Sequence, residues 1–86
     1  MIQDIIDNLI ITPIYENQAL ESLFTYNNIN YRAYIMFRKK YSSECAIYDN
    51  NYHEVYHKWG VEVCPQTLKD CIKDFIEAEI YKNNNL

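Results

Sequence analysis

Residues 19–37 alternate with a period of two, the pattern of strands and not of helices. Leu20, Ser22, Phe24 and Tyr26 share one face, with Glu21, Leu23 and Thr25 on the other. Asn27-Asn28 sits where the chain must reverse, and asparagine tolerates positive φ better than other non-glycine residues. A two-residue turn there sets Tyr26 opposite Ile29, Phe24 opposite Tyr31, Ser22 opposite Ala33 and Leu20 opposite Ile35. Apolar then meets apolar along the hairpin, and a slip of one residue would send every side chain to the wrong side. The second face brings Leu23 beside Arg32 and Glu21 beside Tyr34. Such a hairpin is not stable alone in water; it needs more strands and a cover for its apolar face.

The flanking sequence supplies both. Ile2, Ile5, Ile6, Leu9 and Ile10 are spaced as the apolar stripe of a helix over residues 2–11, with Asp4 near its start and Pro13 to end it. Residues 14–18 read as a connecting loop and residues 39–43 as a polar one. Residues 44–48 read as a third strand, Asp49-Asn50-Asn51 as a turn, and residues 52–59 as a fourth strand closed by Gly60. This second hairpin admits two registers. A three-residue loop places Cys45, Ile47, His53, Val55, His57 and Trp59 on one face and Ala46, Tyr48, Tyr52, Glu54 and Tyr56 on the other. A two-residue loop at Asn50-Asn51 instead joins Ala46 and Tyr48 with His53 and Val55. The first is preferred, since it gives Ile47, Val55 and Trp59 a common buried side.

Pro65 opens a final helix over residues 65–82. Leu68, Cys71, Ile72, Phe75, Ile76 and Ile80 form its apolar stripe, with Lys69, Asp70, Lys73, Asp74 and Glu77 outside. Residues 83–86 read as a frayed tail. The expectation is one α+β domain, residues 1–82: an N-terminal helix, a four-stranded antiparallel meander and a C-terminal helix, with both helices on the same sheet face.

That arrangement leaves a second face carrying Leu23, Arg32, Tyr34, Met36, Arg38, Tyr48, Tyr52 and Tyr56. Between residues 32 and 40 lie four positive charges and no negative one, while the first 31 residues hold four acids and no base. Tyrosine and arginine are enriched at interface hot spots. Arg32, Tyr34, Met36, Arg38, Tyr48 and Tyr56 are therefore the expected contact residues for a host or cognate protein. The plain reading of the same residues is a solvated face, where tyrosine is a good strand former and arginine snorkels.

The leading alternative is single-stranded nucleic acid, with bases stacked on the tyrosines and phosphates held by the arginines and Lys39-Lys40. A net charge of −4 opposes it, and the Gly-aromatic signatures of RNA-binding sheet modules are missing. Double-stranded-RNA-binding domains share the helix–strands–helix order. They require a basic final helix, whereas this one has four acids and three lysines over residues 65–82. The acids of the two helices also suggest nucleic-acid mimicry, but as a pattern they fit two solvated helix faces better. Self-association through the open face or a strand edge, giving a homodimer, is a third possibility.

The bulk composition narrows the setting. Eighty-six residues make one domain, and no apolar run approaches the ~18–20 residues that cross a bilayer. The acids within the first apolar stretch mark it as a helix and not a secretion signal. Three cysteines, an odd number, suggest free thiols in a reducing cytoplasm. Ile, Asn, Tyr, Lys, Phe and Met account for 42 residues and Gly, Ala, Arg and Pro for nine, the bias of AT-rich coding. It points to a low-GC bacterium, or to an accessory or inhibitor protein of a phage or mobile element.

Catalytic and metal readings are weaker. Cys45, His53, His57 and Cys64 form a C-x7-H-x3-H-x6-C series of zinc-type ligands. Yet i,i+4 positions on a strand stand about 13 Å apart. Cys64, just before a helix, is a conceivable nucleophile with a histidine base, while Cys71 belongs to an apolar stripe. No paired acids and no glycine-rich loop accompany them. The expectation is a non-enzymatic protein with no catalytic residue, metal or cofactor.

Overall fold

The computed structural model describes residues 2–16, 18–39 and 42–84, and the side chains of all of these except 38, 39 and 42. Helix α1 (Ile2–Asp7) is followed by strands β1 (Ile11–Ile14), β2 (Ala19–Tyr26), β3 (Ile29–Lys39), β4 (Ser42–Tyr48) and β5 (Glu54–Trp59), and by helix α2 (Pro65–Asn84). The strands form one antiparallel sheet in the order β1-β2-β3-β4-β5. The α+β class is as expected, with five strands in place of four.

The central hairpin has the expected register throughout, from Tyr26↔Ile29 to Leu20↔Ile35. Asn27 and Asn28 have φ of 53° and 65°, the left-handed pair that matches a tight turn to the twist of its strands. Phe24 and Tyr31 stack at 5.2 Å, and Phe75 from α2 meets both rings edge-on. Around them Ala33, Ile35, Cys45 and Ile47 from the sheet join Leu68, Cys71, Ile72 and Ile76 from α2 and Ile6 from α1 in one core. Both helices thus contribute to the core on the same side of the sheet. At six residues α1 is too short to persist alone; Ile6 anchors it, and Ile2, Ile5 and Leu9 pack around that anchor.

Three sequence expectations are corrected. The N-terminal helix ends at Asp7, not residue 11, because residues 11–14 pair with β2 as a fifth strand. Asn8 closes the helix by donating its side-chain amide to the Asp4 carbonyl at 2.7 Å. Pro13 lies within β1, where an edge position spares the sheet the missing N–H. Ile10, counted in the helical stripe, is 78% exposed.

The second correction concerns β4 and β5. Ala46 pairs His57, Ile47 pairs Tyr56, and Tyr48 pairs Glu54 across a bulge. Tyr56 therefore shares the core side with Cys45 and Ile47, while His57 and Trp59 take the opposite side. The preferred three-residue register had these reversed. The turn is longer than expected because the Asp49 carboxylate accepts from the N–H groups of Asn51 (2.8 Å) and His53 (3.0 Å), which delays β5 to residue 54. Lastly, α2 continues to Asn84, so residues 83 and 84 are helical and not tail.

Candidate functional site

With the helices on one side, the other side of the sheet is formed by alternate residues of all five strands. β3 supplies Arg32, Tyr34 and Met36 by simple alternation. Leu23 and Tyr48 flank Arg32 in register, and Glu21 and Ala46 flank Tyr34. Tyr34 and Tyr48, diagonal neighbours on β3 and β4, stack at 6.0 Å with their rings 7° from parallel. Ala19 and Ala46 are fully buried on this face, each between larger residues on the adjoining strands.

The electrostatics are locally balanced. The Arg32 Nε donates to the Glu21 carboxylate from the adjacent strand. His57 Nε2 lies 2.7 Å from Oε1 of Glu44, whose side chain is almost entirely buried, and the imidazole meets Trp59 edge-on at 4.6 Å. Two acid–base pairs therefore occupy this face, one on each side of the tyrosine stack. Hydrogen bonds from the His53 and Asn51 amides hold the Asp49 carboxyl below its ordinary value at the rim.

Two rim tyrosines have an unusual backbone. Tyr15 and Tyr52 have φ of 51° and 63°, a region that residues without a short polar side chain seldom adopt. Both are exposed, Tyr15 to 62% and Tyr52 to 85%. They border Arg32 from opposite sides. Tyr15 lines a depression with Arg32, Tyr34, Met36 and Tyr48, and Tyr52 lines another with Arg32 and Leu23. Leu23 itself is 67% exposed, with Ile10 beside it across the β1–β2 edge.

Of the six expected contact residues, Arg32, Tyr34, Met36 and Tyr48 lie together here. Tyr56 does not: it lies on the helix-covered side, partly buried against the core. The Arg38 side chain lies outside the described residues, as do that of Lys39 and all of Lys40. Tyr15 and Ile10 were missed because β1 was not recognised: Ile11, Thr12, Pro13 and Ile14 carry no clear polar–apolar alternation. Trp59 was missed through the register of the second hairpin.

The C-x7-H-x3-H-x6-C residues are scattered. Cys45 faces the core, His57 faces the opposite side, and His53 is exposed in the β4–β5 turn. Cys64 precedes α2, with its Sγ 3.1 Å from Thr67 Oγ1. Among the described residues no helix is long and apolar enough to cross a membrane. Comparison with protein-family models, curated proteins and solved structures finds no match to this chain.

Proposed function

We propose that this protein is a non-enzymatic protein-binding module that docks a partner on the tyrosine-lined sheet face and acts by occluding it. The observation that carries this reading is the pairing of exposure with backbone strain around Arg32. Tyr15 and Tyr52 sit in left-handed conformations that disfavour tyrosine, and burial does not compensate either ring. The turns require that backbone of whichever residue stands there, as at Glu16 (φ 55°), so it is the choice of an exposed tyrosine at a costly position that favours a contact. Leu23, Met36 and the Tyr34–Tyr48 stack supply apolar contact area between them, of the kind that anchors interfaces. A cytoplasmic accessory or inhibitor protein of a phage or mobile element would suit a chain of this size and coding bias.

The Glu21–Arg32 pair bears on the nucleic-acid alternative. A guanidinium already engaged by a carboxylate must give up that partner to hold a phosphate, and the chain carries a net charge of −4. Protein binding is favoured on that ground.

The test is affinity capture from low-GC bacterial lysate, with and without nuclease, using the native chain, Tyr34→Ala and a helix-face control, Glu77→Gln. The expected result is one stoichiometric protein that survives nuclease, disappears with Tyr34→Ala and persists with Glu77→Gln. Capture that vanishes with nuclease would transfer the face to nucleic acid. Capture lost with the control and kept with Tyr34→Ala would move the contact to α2.

A further inference from the structure

The β5 end of the open face carries a group of side chains that the tyrosine stack does not use. Regular alternation would set Glu54 on the helix-covered side with Tyr56. The bulge that offsets Tyr48↔Glu54 from Ile47↔Tyr56 turns Glu54 outward instead, to the side of His57 and Trp59. Glu44, Glu54, His57 and Trp59 together line an open depression of about 480 Å³. The Trp59 indole, the only one in the chain, is 60% exposed there. We propose, on the protein-binding reading of this face, that the depression receives an arginine side chain of the partner. The guanidinium lies against the Trp59 indole and donates its N–H groups to the Glu54 carboxylate.

Charge and shape both select that occupant. Two carboxylates line the depression and, among the described residues, no lysine or arginine does, so it repels phosphates and favours a cation. His57 Nε2, 2.7 Å from Glu44 Oε1, is committed to the deeper acid, whose side chain is almost entirely buried. Glu54 stands at the exposed rim, where a charge from outside can reach it. An indole is the best of the aromatic faces for a cation, and arginine is the side chain found there more often. Its planar fork can lie along the ring and still reach a carboxylate, which a compact, strongly hydrated ammonium does less well. A metal ion fits poorly, since among the described residues no three His, Cys, Asp or Glu side chains are grouped to hold one.

The depression is also continuous with the tyrosine stack. Tyr34, Ala46 and His57 stand in one row across β3, β4 and β5. Two strand spacings, roughly 10 Å, therefore separate Tyr34 from the imidazole at the depression's wall. A partner of ordinary interface size covers both at once.

The experiment titrates the full chain with N-acetyl-arginine amide and, separately, with its uncharged citrulline counterpart, following Trp59 fluorescence and the backbone amide NMR resonances of β5. The expected result is saturable binding of the arginine probe, half-complete at millimolar concentration, with shifts centred on Glu54, His57 and Trp59 and none for citrulline. Glu54→Gln should weaken binding about threefold to tenfold. Trp59→Leu, read by the amide shifts, should weaken it at least as much, and Glu77→Gln on α2 should leave it unchanged. Quenching that rises in a straight line without saturating, an equal response to citrulline, or an undiminished response in Glu54→Gln would overturn the proposal. Tighter binding of the lysine counterpart would overturn the choice of arginine. Because the probe is titrated without the partner, its failure removes the arginine subsite alone, whereas lysate capture indifferent to Tyr34→Ala removes the docking reading.

Discussion

Replacing Tyr52 by asparagine separates a contact role for the strained tyrosines from a structural one. Tyr52 has φ of 63°, where an ordinary L-residue pays about 1–2 kcal/mol and asparagine noticeably less. Its ring is 85% exposed, so truncation sacrifices little apolar burial. The turn hydrogen bond from its N–H to the Asp49 carbonyl, 3.1 Å, belongs to the backbone and survives the change. The balance is a gain of about 0.5–1 kcal/mol, which in a domain this small raises the melting temperature by roughly 2–8 °C. Tyr52→Gly relieves the same strain but adds backbone entropy to the unfolded chain, so its gain should be smaller. The assay is thermal and urea unfolding followed by circular dichroism, beside the capture experiment. The expected pattern is a more stable protein that captures its partner less well. A loss of stability above about 0.5 kcal/mol in both variants would refute the reasoning, since the ring would then be supporting the fold.

Further outcomes follow from the two sides of the sheet. Phe75→Leu keeps most of the core volume but removes two edge-on aromatic contacts, so it should cost about 1–2 kcal/mol in urea unfolding, whereas Tyr34→Leu on the opposite face should cost less than half as much. Exchanging the Glu21–Arg32 pair (Glu21→Arg with Arg32→Glu) should change stability by less than about 1 kcal/mol, as for an exposed pair, yet weaken capture. Stability should also fall above about pH 10. Burial raises the Tyr31 and Tyr56 hydroxyls in the folded protein, so the unfolded chain ionises first near 10.0 and is favoured as pH rises further. Cys45, pushed up by its interaction with Cys71 and by burial, adds to that fall from its ordinary 9.0, while Cys71 shifts the opposite way. A melting temperature that stayed level from pH 9 to 11 would contradict the buried placement of both tyrosines.

The central hairpin and the inner stripe of α2 were legible in the sequence because their information is local. Alternation about Asn27-Asn28 has one register that pairs apolar with apolar, and helical spacing from Leu68 to Ile80 has one inner side. Arg32, Tyr34, Met36 and Tyr48 follow from that hairpin and the strand beside it. The N-terminal region was harder, since Ile10 completes a helical stripe while standing directly before an edge strand. Only pairing with β2 resolves the choice: Ile11↔Ser22 consumes backbone groups that a longer helix would have used internally.

The second hairpin shows where sequence information stops. Ile47, Val55 and Trp59 suggested one buried side, but the carboxylate of Asp49 gathers two backbone amides and lengthens the turn, and a bulge at residue 55 completes the shift. That exchange turns Tyr56 inward against the core and places His57 and Trp59 on the tyrosine face. The sequence by itself determined the class of fold, the core of the hairpin and the inner side of α2, because each depends on a short-range period. Which way Tyr56, His57 and Trp59 face was decided by the tertiary structure, because it depends on a strand register set by hydrogen bonds in a turn.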